Sequence, residues 1–437
     1  MADTPNLPER PLSWQLCQRC ERELSASSSQ AQCPDCGGLL EVRHRPPRNH
    51  GRALQDLFAG RRGSSDALDS SGVWRYRELV LPDARPEEVV THPEGNTPLL
   101  SRQTVSRWAG VEALFLKHEG HNPTGSFKDR GMTVGITQAR RVAARAVACA
   151  STGNTSASLA AYASSAGLPA LVFVPAGQVA LGKLAQTLAY GAKTLLVRGD
   201  FDACFALVRE AAEKLNVYLL NSINPFRIEG QKTIVLEALE QLRFDPPDWI
   251  ALPAGNLGNT SAFGKALREA NELGLIPRLP RLACIQAAGA NPFARAFREG
   301  FARAHRVKAE TVATAIKIGD PASLERAIAA VRLSNGVVTD VTDEEILEAK
   351  AVVDASGVGC EPASAASVAG VRKLAEEGVI RPDERVVAVL TGHILKDPGL
   401  LLDYHQKRDP PPARANRPIE IDAKLSAVEE VLGRERR

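Results

Sequence analysis

No run of apolar residues in this chain reaches the ~18 that a membrane-spanning helix needs. The first ten residues, Met1 to Arg10, carry Asp3 and Glu9 and no apolar core, which argues against a secretory signal. Charge of one sign is not in excess either: 54 basic residues face 51 acidic ones, so no electrostatic footprint for nucleic acid stands out. No internal repeat is visible. The Gly-rich loops described below are neither Gly-x-Gly-x-x-Gly turns nor P-loops, so the nicotinamide and nucleotide fingerprints are lacking. What remains is a globular composition, 44% hydrophobic and 24% charged, with room in 437 residues for about three domains. The expectation is a cytoplasmic protein whose partners are neither membranes nor nucleic acids.

Cysteine is sparse but patterned. Cys17, Cys20, Cys33 and Cys36 form Cys-x2-Cys, twelve residues, then Cys-x2-Cys, a spacing that can set four thiolates around a tetrahedral zinc ion. In a reducing compartment a metal is favoured over two disulfides. Residues 12–44 therefore read as a zinc ribbon, with Gly37 and Gly38 as turn residues and the zinc as a structural staple. Cys149, Cys204, Cys284 and Cys360 stand apart among apolar or small residues and read as small core hydrophobes.

Residues 43–71 are rich in Arg, Pro, Gly and Ser and read as a linker carrying one short apolar helix at 54–58. Residues 94–100 read as a turn into a helix or strand. From there short apolar runs alternate with helical periodicity. Strands are expected at 114–117, 146–150, 170–174, 194–197, 217–220, 250–252, 282–286, 337–341 and 386–390, with helices such as 156–165, 181–190, 201–215 and 260–273 between them. Such alternation predicts an α/β fold of mostly parallel sheets covered on both faces. The ladder is too long for one unit. Two open, mostly parallel-sheet domains with a cleft between them are expected, one from 45–118 with 223–404 and a smaller one from 119–222. A tail, 405–437, carries a Pro-rich connector and a short charged helix.

Five segments carry chemistry. In His121-Asn122-Pro123-Thr124-Gly125-Ser126-Phe127-Lys128-Asp129-Arg130-Gly131, turn residues lead into a helix that Ser126 can cap, with Asp129 at the capping-box position. Lys128 then lies in the first turn, near the positive helix end. That position and burial both lower an amine's pKa and favour the neutral nucleophile, which can form a Schiff base with an aldehyde. On residue type alone a solvated lysine at a helix start is the commoner case, and Lys232 and Lys396 stay open as alternatives. Ser151, Thr152, Gly153, Asn154 and Thr155 offer N–H groups and hydroxyls at a helix start, which suits a carboxylate. Gly255, Asn256, Leu257, Gly258 and Asn259 allow close backbone approach to a phosphate. Asn221, Ser222 and Arg227 present donors after a strand, as a second phosphate would need, although a helix cap with a surface pair between Arg227 and Glu229 explains them as well. Last, Thr391-Gly392-His393 places a hydroxyl at a strand end, and His393 reads as packed and hydrogen-bonded.

Together, in this order and spacing, these segments resemble the threonine synthase family among pyridoxal-phosphate enzymes of fold type II (the tryptophan synthase β-like fold). The resemblance runs from the cysteine ribbon to about Tyr404. It implies that Lys128 is the Schiff-base lysine and also shuttles protons, that Asn154 holds the ring hydroxyl of pyridoxal 5'-phosphate, and that Gly255, Asn256, Leu257, Gly258 and Asn259 hold its phosphate. Thr391 would face the pyridine nitrogen as a neutral partner. The implied substrate is O-phosphohomoserine, its carboxylate on Ser151, Thr152 and Thr155 and its phosphate near Asn221, Ser222 and Arg227. The implied reaction is loss of phosphate from the γ carbon and addition of water at the β carbon, in a homodimer. Related enzymes of the same cofactor class, cysteate synthase and threonine dehydratase, are the alternatives, followed by a zinc-ribbon binding protein without catalysis.

Overall fold

The computed structural model describes residues 11–176, 184–199 and 201–434. It opens with three antiparallel strands, β1 (Ser13–Cys17), β2 (Glu23–Ser25) and β3 (Leu40–His44), in the order β2-β1-β3. Cys17, Cys33 and Leu40 make the small core of this ribbon. So few apolar side chains cannot stabilise a module alone, which is why small scaffolds use staples.

Residues 43–71 are more ordered than their composition suggests. A helix of twelve residues, Gly51–Arg62, buries Leu54 and Phe58, and the Phe58 ring meets Tyr76 edge-on with centroids 4.9 Å apart. The short apolar helix expected at 54–58 is thus present and longer, because Leu54 and Phe58, four apart on one helix face, find a core to cover.

Next come β4 (Leu99–Ser101) and β5 (Ala113–His118), then β6 (Ala146–Ala150), β7 (Ala170–Pro175), β8 (Lys193–Val197) and β9 (Val217–Leu219). The chain continues through β10 (Trp249–Pro253), β11 (Arg281–Ala287), β12 (Val337–Val341) and β13 (Arg385–Leu390). Two sheets result. One has six strands in the order β12-β11-β10-β13-β5-β4, all parallel but for β4 against β5; the other has four parallel strands, β8-β7-β6-β9. The strands Ala-Val-Ala-Cys-Ala of β6 and Trp-Ile-Ala-Leu-Pro of β10 are buried throughout, as parallel strands covered on both faces must be. The fold is thus mixed α/β with mostly parallel sheets behind a cysteine ribbon. Cys149, Cys204, Cys284 and Cys360 are all buried.

The helices that matter for chemistry are α1 (Lys128–Arg141), α2 (Asn154–Ser165), α3 (Pro225–Gln231), α4 (Gly258–Glu272), α5 (Leu324–Leu333) and α6 (Pro362–Glu376). The helix expected over 181–190 is seen as Ala185–Ala189, and residues 181–183 lie outside the described residues. The chain parts into two units, residues 1–396 and 397–437. The second contains the helices Pro398–Leu402 and Leu425–Arg434. No helix among the described residues is long and apolar enough to cross a membrane.

Helices α1 and α3 touch backbone to backbone. A Cβ on Gly230 would stand 1.7 Å from the carbonyl oxygen of Arg130, and one on Gly131 would stand 2.9 Å from that of Arg227. Only glycine permits this approach, which brings the start of α1 beside Arg227. Behind α1 lies a buried charge cluster. Arg130 donates to Glu119 at 2.6 Å and to Glu237 at 2.8 Å, and Lys117 donates to Glu237 at 2.5 Å.

Candidate active site

Lys128 is the first residue of α1. The turn before it uses Gly125 at φ +82° and ties to the end of β13: Phe127 N–H donates to the Thr391 carbonyl at 3.0 Å, and His393 N–H donates to the Gly125 carbonyl at 2.9 Å. These bonds flank a bridge between Ser126 and Gly392, which sets the residue before Lys128 against Thr391. The expected capping box does not form. Phe127 takes the cap position, and the Asp129 carboxylate instead accepts from Thr124 N–H (2.7 Å), Thr124 Oγ1 (2.6 Å) and Ser158 Oγ (2.6 Å). Tertiary donors on the neighbouring turn and on α2 outcompete the local one, and burial pushes the Asp129 carboxyl up to about 6.

The Lys128 amine is partly buried, lies 4.0 Å from the centroid of the Phe127 ring, and donates no hydrogen bond to a described residue. Burial first, then the guanidinium of Arg227, lower its pKa to about 7, against the opposing pull of Glu361. The two other candidates have partners for their amines, although burial lowers the pKa of Lys396 as well. Lys232 is buried between Glu229 (2.6 Å) and Glu269 (2.7 Å) and is raised in pKa, so it is an ion-pair residue. Lys396 donates to Gln186 Oε1 at 2.5 Å.

Asn154 begins α2 and donates to Glu361 at 3.0 Å; Thr391 Oγ1 donates to the other oxygen of the same carboxylate at 3.0 Å. Glu361, which caps α6 ahead of Pro362, thus ties together two residues that the sequence names separately. It is buried, which raises its pKa. A Cβ on Gly392 would stand 2.4 Å from its carboxyl carbon, so the segment after β13 lies directly on it. Sequence reasoning missed Glu361. Its only local signal is a Glu before the Pro of an Ala-rich helix, and its neighbours are 207 and 30 residues away. On the adjoining loop the Ser151 hydroxyl accepts from Gly153 N–H, and those of Thr152 and Thr155 meet no described partner.

The loop from β10 to α4 turns through Leu257 at φ +63°. None of the N–H groups of residues 255–260 meets an acceptor among the described residues, and Asn259 Oδ1 is buried without a partner. A row of free N–H donors at the start of a fifteen-residue helix is an anion cradle. Asn256 braces it, donating to Ser222 Oγ at 2.8 Å and accepting from Ala322 N–H at 2.7 Å. Asn221 is likewise occupied, accepting from Ala150 N–H at 3.1 Å at the end of β6. Asn224 caps α3. The surface pair between Arg227 and Glu229 does not exist: both are buried, and Glu229 faces Lys232, Lys265 and His44. The Arg227 guanidinium donates, among the described residues, only to the Leu220 carbonyl (3.2 Å), its Nε has no partner, and no described carboxylate lies within 4.0 Å. Burial lowers its pKa to about 10.

In the ribbon the four cysteine sulfurs lie within 4.8 Å of one another, with Cys17 to Cys36 at 3.5 Å and Cys20 to Cys33 at 3.6 Å. Tetrahedral zinc with bonds of ~2.3 Å sets its sulfurs about 3.8 Å apart. Gly38 leaves the necessary room, since a Cβ there would stand 2.9 Å from Cys17 Sγ.

A model of the pyridoxal-phosphate dependent enzyme family matches residues 90–392. The threonine synthase of Methanosarcina acetivorans is 45% identical over 95% of this chain and 98% of its own length, and that of Methanocaldococcus jannaschii 43% identical over 96% and 99%. Among solved structures, threonine synthase from Escherichia coli superposes with a TM-score of 0.68 at 19% identity, covering 97% of this chain and 100% of that one. At that identity the superposition speaks for the fold.

Proposed function

The chain belongs to the pyridoxal-phosphate-dependent enzymes and, within them, to the threonine synthases, and we propose that it converts O-phospho-L-homoserine and water to L-threonine and phosphate at the pocket around Lys128. One observation carries the choice of a phosphorylated substrate: Arg227 is a buried guanidinium without a counter-charge, beside the one lysine of the pocket with a free amine. A buried cation is costly unless paired, so its place is explained by an anion that arrives with the substrate.

The residues fit the cofactor. The free N–H groups of 255–260 suit its phosphate, Lys128 its aldehyde, Asn154 its ring hydroxyl and Thr391 its ring nitrogen. When bound, the cofactor supplies an electron sink for charge developing on the substrate carbons. The protein's own residues do the rest. Ser151, Thr152 and Thr155 bind the substrate carboxylate, and Arg227 binds its phosphate. Asn221 and Ser222, already bonded to Ala150 and Asn256, frame that subsite. Lys128, with an amine near neutrality, takes and returns protons at the α and β carbons, because both of its protonation states are accessible at working pH. The β carbon gives up one proton, and the γ carbon gains one as its bond to the phosphate oxygen breaks. The hydroxyl of water bonds to the β carbon, and phosphate leaves with the proton that water sheds. Glu361 positions Asn154 and Thr391 by holding both.

Equal yields of threonine and phosphate from O-phosphohomoserine are expected of the purified protein. Consumption of phosphoserine or threonine without threonine formation would point instead to the cysteate synthase or threonine dehydratase class. Arg227→Ala should lower kcat/KM for the phosphorylated substrate by about two orders of magnitude, the worth of a charged hydrogen bond of ~3 kcal/mol, while the cofactor absorption band persists. Unchanged kinetics would remove Arg227 from the site.

The same reading includes a cytoplasmic homodimer, checked by light scattering, and a division of the body into 45–118 with 223–404 and 119–222, supported by the two separate sheets. It also gives Cys17, Cys20, Cys33 and Cys36 a structural zinc. Because metal binding is then folding energy for the ribbon, Cys20→Ser should cost the bound zinc and the hydrogen-exchange protection of β1, β2 and β3 while the sheets of the body stay protected. Cys20 is exposed, so the substitution itself disturbs little packing. Metal content equal to wild type would refute the assignment.

A further inference from the structure

A cavity of about 250 Å³ lies between the ribbon and the body, walled by β3, α3, α4 and α5. It is not the pocket described above, for neither Lys128, Asn154, Arg227 nor Thr391 lines it. Its charged walls are Lys265, Arg268 and Arg326 against Glu41 and Glu229, one cation in excess. The two carboxylates are already taken: Glu41 pairs with Arg268, and Glu229 with Lys265 and Lys232.

Arg326 is left over. It is 7% exposed, donates through Nε to Gln18 Oε1 at 2.9 Å and through its terminal nitrogen to the Leu40 carbonyl, and has no described carboxylate within 4.0 Å. Four arginines of the described residues are buried: Arg75, Arg130, Arg227 and Arg326. The first two lie against carboxylates. Arg227 lacks one for the reason argued above, and Arg326 lacks one in the same manner. Burial lowers its pKa by more than the carboxylates of Glu41, Glu229 and Glu325, none of them paired with it, restore. The remaining walls include Leu40, Ile228 and Ala330, with the exposed Leu333 among them.

We propose that this cavity is a second ligand site, for a small organic carboxylate with an aliphatic tail, whose carboxylate pairs with Arg326. Such an occupant would touch α3 and α4, the helices that carry Arg227 and the N–H cradle of residues 255–260. Charge asks for an anion, and the apolar walls ask for more than an inorganic one. A simple carboxylic acid and an aliphatic amino acid share that chemistry.

The test titrates the full-length holoenzyme by calorimetry with isobutyrate, L-valine and inorganic sulfate while the cofactor absorption band is recorded, because a ligand in the catalytic pocket perturbs that band. Isobutyrate, L-valine or both should bind saturably without moving the band, and Arg326→Gln should weaken that binding at least about tenfold. Ala329→Phe narrows the exposed rim without altering charge and should weaken it too, which keeps the test alive if Arg326→Gln fails to fold. Tighter binding of L-valine would mark the ligand as an amino acid, and tighter binding of isobutyrate as a simple carboxylate; either supports the site. Binding of sulfate alone, no saturable binding, or organic binding indifferent to both substitutions overturns it.

Discussion

Replacing Lys128 by alanine should leave a folded chain that works ~10³-fold more slowly or not at all, and that shows no cofactor band. The fold survives because the residue opens a helix, alanine has the higher helix propensity, and the amine holds no hydrogen bond that its loss would orphan. The apo-protein adds a sharper test. The folded pKa of about 7 lies below the ordinary 10.5, so between those values the folded chain holds fewer protons than the unfolded one. Stability of the apo-protein therefore rises with pH across that window, and Lys128→Ala removes that slope. The causes can be separated too. Arg227→Met takes away a repelling cation and should raise the amine's pKa, whereas Glu361→Gln takes away an attracting carboxylate and should lower it. Labelling of the apo-protein with an amine reagent against pH reads both shifts. Shifts of the opposite sign would mean that neither group faces the amine.

The difference between what the residues announce and what they hide follows the range of the interaction involved. Lys128 is legible because the turn that delivers it, Asn122 to Gly125, is written in consecutive residues. The buried runs of β6 and β10 are legible for a similar reason, since a strand covered on both faces has no polar positions. The Gly-rich loop of residues 255–259 carries its own conformational signature. Asp129 shows where local reading fails: three donors from the turn and α2 outcompete the capping position three residues back. Glu361 fails for the same reason in a stronger form, since its role exists only once Asn154 and Thr391 have been brought to it by two different sheets. Arg130 stands next to the lysine in the motif, yet its partner Glu237 is 107 residues further on. Arg326 offers no sequence signal at all, because a missing counter-charge is visible only in three dimensions.

That pair of Arg130 and Glu237 carries the second large effect. Glu237→Ala should destabilise the protein by about 3–5 kcal/mol, the cost of leaving buried charges without their partner. Glu237 is buried and faces Lys117 at 2.5 Å, Arg130 at 2.8 Å and Arg75 at 3.6 Å, while accepting from the N–H groups of Asn96 (2.8 Å) and Thr97 (2.9 Å). Lys117, lowered in pKa by burial against the pull of Glu237, can escape by losing its proton. Arg130 cannot, since a guanidinium stays charged at any working pH. Glu237→Ala combined with Lys117→Met should therefore recover only the share due to Lys117, and a double-mutant cycle measures it. The pH dependence fixes the sign. Burial alone would raise the Glu237 carboxyl; Arg130 and then Lys117 outweigh it and hold its pKa far below the ordinary 4.5, and Glu119 is lowered by Arg130 in the same way. Their stabilisation is thus complete above about pH 5 and is lost as the pH falls through the folded-state pKa values. Denaturation by urea at pH 7 and at pH 4 should show the wild type losing stability on acidification and Glu237→Ala losing less. Because α1 sits on this cluster through Arg130, the same variant should also loosen the helix start that presents Lys128, and its kcat should fall more than its KM rises. Equal acid slopes in wild type and variant would show that the cluster is not ionised as the geometry requires.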